Sequence, residues 1–125
     1  MNEVLRAAVI GTSSNGGWGH NIDELFIGVS GLRTVAVADD IDTGVADAMK
    51  RHRLTKATRG FLDWRKMLAD IKPDIVAICS RNIQQHAEMA IASAEAGVRG
   101  IFMEKPFVQS VTQADAVVAA CETSN

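Results

Sequence analysis

The chain has 125 residues, 47% hydrophobic and 22% charged, with two prolines and no tyrosine, which is the make-up of one ordinary soluble domain and too little for two. Fifteen acids against thirteen bases leave a net charge of −2 with the bases scattered, which argues against a nucleic-acid or membrane-surface binder, and no apolar run approaches the roughly 20 residues that span a bilayer. Cys79 and Cys121 have no paired-ligand spacing and nothing upstream reads as a secretion signal, so structural thiols, no metal site and a reducing, cytoplasmic setting are expected.

In chain order, Leu5 to Ile10 reads as a first strand, stopped at Gly11 by a Gly/Ser/Asn-rich loop that runs to His20. Ile22, Leu25, Phe26 and Val29 fall on one face of a predicted short helix, closed by Ser30-Gly31. Thr34 to Ala38 is the second strand, ended by Asp39-Asp40, and Asp42 or Thr43 caps a helix running to about Arg53. Its basic end, Lys50-Arg51-His52-Arg53, reads as a solvated helix C-terminus. Thr55 to Phe61 is compatible with a short strand. Asp63 caps a helix with Trp64, Met67, Leu68 and Ile71 at helical spacing, broken at Lys72-Pro73-Asp74. Ile75 to Cys79 is an all-apolar run suited to a central parallel strand. A helix from Gln84 or Gln85 to Ala96 ends at Gly97, Gly100 to Met103 forms another strand, and Ser110 opens a last helix. This alternation predicts an α/β fold, a doubly wound parallel sheet of about five main strands in one domain, 1–125.

Three places could carry chemistry. The loop Gly11-Thr12-Ser13-Ser14-Asn15-Gly16-Gly17-Trp18 follows the first strand, where glycines let the backbone approach a pyrophosphate; it could equally be a plain connection, since Ser13 stands where the dinucleotide fingerprint has its middle glycine. Asp39 ends the next strand 22 residues after Gly17, where the dinucleotide fold keeps an acid for the adenosine ribose, although Asp also caps turns. Glu104-Lys105-Pro106 follows a buried strand and so lies at the carboxyl edge of the sheet, where a surface ion pair is the plainer alternative.

The order of the Gly-rich loop, Ala36-Val37-Ala38-Asp39, Ser80-Arg81-Asn82 with His86, Ala94-Glu95-Ala96-Gly97 and Glu104-Lys105-Pro106-Phe107 resembles the N-terminal domain of the Gfo/Idh/MocA family. The resemblance implies a Rossmann fold lacking its last strand, and an NAD(P)-dependent dehydrogenase acting on a sugar or polyol. It places the pyrophosphate on Gly11, Thr12, Ser13, Gly16, Gly17 and Trp18, the adenosine ribose on Asp39, and a cofactor-facing turn at Ser80, Arg81 and Asn82. Glu104 would lie near the nicotinamide ribose, and Lys105 would be the catalytic residue. Asp40, standing where a 2′-phosphate would want an arginine, implies NAD before NADP. Two departures are Arg81 in place of a proline and the spacing of His86, which leaves His86 as a cofactor contact or a helix-start residue; Trp18 could stack on the cofactor or pack the loop. The extended loop also resembles galactose-pathway repressors, which bind the cofactor without turnover. In the family a second domain carries the substrate-side residues and the oligomer interface, so this chain alone is expected to be inactive and its parent homo-oligomeric.

Overall fold

The structure is a computed structural model that describes residues 3–124. Five parallel strands, β1 (Leu5–Ile10), β2 (Leu32–Ala38), β3 (Gly60–Phe61), β4 (Ile75–Ile78) and β5 (Gly100–Met103), form one sheet in the order β3-β2-β1-β4-β5. Every pairing is parallel, with Val9 beside Val37 and Ala77 near the centre. This is the predicted doubly wound α/β architecture, and the ambiguous 55–61 stretch contributes a two-residue edge strand.

Four α-helices cover the faces: α1 (Asp42–Arg51), α2 (Trp64–Ile71), α3 (His86–Glu95) and α4 (Val111–Thr123). One face packs Met67, Leu68, Met89, Ala90 and Val117 against Ile10, Ala36 and Ile78; the other packs Ala48 of α1, with Trp18, Ile22 and Phe26, against Val9, Val37 and Ala77. Burying side chains such as Ile10, Ile78 and Val37 completely contributes about 1.5 to 3 kcal/mol each. Asp63 caps α2 through Arg65 N–H at 2.9 Å, and Ser110 caps α4 through Gln113 N–H at 3.1 Å, as the sequence predicts. α1 differs: Ile41 precedes it without a side-chain cap, and it ends at Arg51 with Arg53 in the left-handed region at φ 56°. Among the described residues no helix is long and apolar enough to cross a membrane.

The first predicted helix is corrected. Instead of an amphipathic helix from Asn21 to Val29, the chain makes a five-residue 3-10 turn, Ile22–Phe26, entered through a left-handed Asn21. Gly28 and Gly31, both at φ 80°, prevent continuation, and β-branched Ile27 and Val29 add nothing in helix propensity. The turn is fixed from below. Asp23, fully buried, accepts from His52 Nε2 at 2.8 Å and Arg51 Nε at 3.2 Å at the end of α1. Burial pushes the Asp23 carboxyl up, but the His52 hydrogen bond and the Arg51 charge outweigh it and hold it below the usual range. The basic cluster is thus partly an internal counter-charge, where a solvated helix end was expected.

Candidate functional site

The strand order reverses between β1 and β4, so the carboxyl ends of these two strands flank the crevice where open α/β sheets bind ligands. Thr12, just after β1, and Ser80, just after β4, meet there with their hydroxyls 2.5 Å apart, both buried. Over them runs the Gly11–His20 segment, which is held and not loose. Thr12 and Gly17 pair as an isolated antiparallel bridge, with Gly17 N–H donating to Thr12 O at 2.8 Å and Asn15 N–H to the same oxygen at 3.0 Å. Gly16 and Gly17 have φ of 84° and 71°, which explains the adjacent glycines. A Cβ on Gly16 would stand 2.8 Å from the Cβ of Arg81, whereas one on Gly17 would meet nothing within 4 Å. Gly17 is therefore required by its backbone angle, and not by crowding within the chain.

Three carboxylates from the ends of β2 and β5 fasten this segment. Asp39, 1% exposed, accepts from Ser13 N–H at 3.1 Å, Ser13 Oγ at 2.5 Å, Trp18 Nε1 at 2.6 Å and Ile41 N–H at 3.0 Å. Two donors on each oxygen tie the loop to Asp39, which also lines the cavity beside that loop. Helical Gly44 makes the anchorage possible, since a Cβ there would stand 2.4 Å from Asp39 Cγ. The neighbouring Asp40 is exposed and accepts from Ser14 N–H at 3.1 Å and from the Ser14 hydroxyl. Its modest burial raises the carboxyl, and these bonds more than reverse that, leaving it below the usual range. Glu104, after β5, accepts from His20 N–H at 2.7 Å, His20 Nδ1 at 2.9 Å and Lys105 N–H at 3.0 Å; here too the bonds from His20 and Lys105 outweigh burial and lower its pKa.

The other expected site residues divide. Trp18 packs the loop: its ring lies on Gly11, where a Cβ would fall 2.1 Å from Trp18 Cε2, and the Arg51 guanidinium stands 4.9 Å from the ring centre. His86 is fully buried at the start of α3. Its Nε2 is 2.6 Å from Ser80 O and its Nδ1 2.8 Å from Pro106 O, so it ties the turn after β4 to the Lys105-Pro106 segment. Asn82 caps the 3-10 turn Ile83–Gln85 through Gln84 N–H at 3.2 Å. Arg81 and Lys105 are exposed, and neither forms an ion pair among the described residues.

A cavity of about 210 Å³ opens beside the loop, lined by Gly11, Asp39, Asp40, Leu62, Trp64 and Gln85. The last three carry no motif and were not singled out as site residues in the sequence; only their position after β3 and β4 could have marked them. The buried Gln85 Oε1 has no hydrogen-bond partner among the described residues. A buried acceptor is costly unless a ligand or water donates to it. The cavity shares Leu62 and Asp63 with a larger, mainly apolar groove of about 850 Å³ between α1 and α2, which gives a flat aromatic group room next to Asp40. These features fit the adenosine end of a dinucleotide. The helix dipole expected for its pyrophosphate is not supplied by a five-residue 3-10 turn.

Solved structures share this fold. A probable dehydrogenase from Thermotoga maritima superposes with a TM-score of 0.78 at 22% identity, covering 96% of this chain and 34% of that one. The WlbA dehydrogenase from Bordetella pertussis, solved with NADH and UDP-GlcNAcA, gives 0.77 at 20% identity over 96% and 35%. Myo-inositol 2-dehydrogenase from Lactobacillus plantarum gives 0.76 at 20% over 98% and 34%. The chain therefore spans about a third of the length of these proteins. A search of curated proteins returned no match, and no finding supports the regulator reading. The profile of the Gfo/Idh/MocA oxidoreductases, described as an NAD-binding Rossmann fold, matches residues 5–125, and the chain belongs to that family.

Proposed function

We propose that the chain is the cofactor-binding half of an NAD-dependent dehydrogenase that moves hydride between the nicotinamide and a sugar, polyol or related hydroxy compound. The observation that carries it is the cavity at the carboxyl ends of β1 to β3, lined by the exposed Asp40 and by Gln85, whose buried Oε1 has no hydrogen-bond partner among the described residues. Relatives described with NADH and a nucleotide sugar, or as an inositol dehydrogenase, support the substrate class. The remaining two thirds of such proteins would supply the substrate site and the oligomer contacts.

Asp40 and Gln85 would hold the adenosine end, with Asp39 holding the loop in place beneath it. Gly16 and Gly17 would let the loop backbone approach the pyrophosphate. The bound cofactor supplies the hydride acceptor, and Lys105, exposed at the end of β5, would stabilise charge developing on the substrate oxygen. Asp40 argues for NAD: a carboxylate about 4 Å from a 2′-phosphate costs on the order of 1 to 4 kcal/mol, depending on the effective dielectric. Fluorescence titration of the chain with NADH and NADPH should show at least a roughly tenfold preference for NADH that shrinks in Asp40→Ala. Tighter NADPH binding would reject the cofactor assignment, and binding of neither would reject the dinucleotide reading.

A further inference from the structure

The amino edge of the sheet, on the far side from the crevice, gathers cations that are scattered in the sequence. β2 begins there, and α1, running back from Asp42, ends there. Two cavities of about 300 and 340 Å³ open between these elements, and Arg33, Thr34 and Arg53 line both. Arg51 and His52 add to the wall of the first, Lys56 and Arg59 to the wall of the second, and neither wall holds an aspartate or a glutamate. In a chain of net charge −2 this is a local excess of one sign.

Asp23 answers only part of it, through Arg51 and His52. Arg33, Arg53, Lys56 and Arg59 form no ion pair among the described residues. A hollow lined by charge of one sign focuses its field on an ion of the other. Thr34 brings a hydroxyl to the shared wall: the residue is 9% exposed, and its Oγ1 has no hydrogen-bond partner among the described residues. A buried hydroxyl without a partner is costly.

Arg53 points the same way from its backbone. It is the first residue beyond the cap of α1, at φ 56°, with its N–H donating to Lys50 O at 3.2 Å and Leu54 N–H donating to Met49 O at 2.8 Å. Glycine is the usual residue in this helix closure, because a Cβ strains the left-handed region. The arginine bears a strain that glycine would avoid, and what it adds is a guanidinium on the wall of both cavities.

We propose that this edge is a binding site for a phosphate group, free or as the monoester of a small molecule, held between Arg33 and Arg53. A phosphate dianion balances two unpaired guanidinium groups, where a carboxylate would balance one, and its oxygens match their paired N–H donors. Lys56 and Arg59 strengthen the attraction from the second cavity, and Phe26, Ile27 and Leu32 give the uncharged part of an ester an apolar wall in the first. The site is separate from the cofactor crevice, since Thr34 precedes Asp39 by five residues, on the order of 16 Å of extended chain. It stands independently of the dehydrogenase reading.

The test is an amide NMR titration of the chain with inorganic phosphate and with phenyl phosphate, sodium chloride holding the ionic strength constant. Saturable shifts at Arg33, Thr34 and Arg53 are expected, with a Kd on the order of 1 mM or tighter. Saturation by either ligand supports the site, and the tighter of the two identifies the source of the phosphate. Arg53→Gly removes the guanidinium and eases the left-handed turn, so the urea midpoint should not fall while phosphate affinity drops at least about tenfold. Arg33→Gln, at an exposed side chain, should weaken binding by a similar factor. Shifts confined to Gly11 to Gly17, shifts that grow without saturating, or affinity unchanged in both variants overturn the proposal.

Discussion

Asp39 and Glu104 are the same kind of residue in the same kind of place, a buried carboxylate just past the end of a strand, and one loop grips both. They differ in what the grip leaves free. All four donors to Asp39 come from Ser13, Trp18 and Ile41, and the indole that reaches it is itself packed on Gly11. The donors to Glu104 come from His20 and Lys105, whose side chains remain exposed. The first acid is spent on holding the loop; the second positions groups that stay available to a ligand.

Removing the acids should separate these roles. Asp39→Ala strips partners from a half-buried indole N–H and two main-chain N–H groups, and should cost about 2 to 4 kcal/mol in urea unfolding. In a Trp64→Phe background the freed Trp18 should shift its emission to the red. Glu104→Ala should cost less, about 1 to 2 kcal/mol, because the ring it releases is already in water. Equal losses would mean that both acids are simple anchors.

Glycine substitutions sharpen the contrast within the loop. Gly19→Ala drives a Cβ into Glu104 Oε2 and the Cys79 carbonyl at φ 61° and should cost about 2 to 3 kcal/mol. Gly17→Ala, at φ 71° with open space around it, should cost about 1 kcal/mol. If Gly17→Ala also abolishes NADH binding with that small loss of stability, the space above Gly17 belongs to the cofactor.

The smallest expected effect is on the acid limb of stability. Asp23, Asp40 and Glu104 all have folded pKa values below their ordinary ones, so on acidification the unfolded chain takes up their protons first. Their stabilisation is complete above the ordinary carboxylate range, near pH 4, and is lost as pH falls through the lower folded values. The urea midpoint should hold from neutrality to about pH 5 and decline below it, and Asp23→Asn should flatten that decline. A midpoint that rises on acidification would contradict the sign for these acids.

The strands and most helices were legible because period-two and period-3.6 patterns are local, and Asp63 and Ser110 announced their helices through local caps. The first helix was misread for a related reason. Ile22, Leu25, Phe26 and Val29 have helical spacing, but spacing does not register a buried Asp23 that must reach His52 and Arg51, or two glycines at φ 80°. His86 kept two readings in the sequence because a histidine near a motif looks the same whether its nitrogens meet a ligand or the Ser80 and Pro106 carbonyls.

By itself the sequence determined the parallel α/β rhythm, the Gly-rich turn after β1 and the acids at the ends of β2 and β5, since each follows from the order of residues along a few turns of chain. Only the tertiary structure decided what those acids do. The Trp18 and Ser13 donors to Asp39 lie 21 and 26 positions away and the His20 donors to Glu104 lie 84 away, and the choice among them is made by the parallel crossovers that bring β1, β2 and β5 to a common edge. A carboxylate's role depends on how many of its acceptor sites the fold has already filled, and that number exists only once distant segments are packed together.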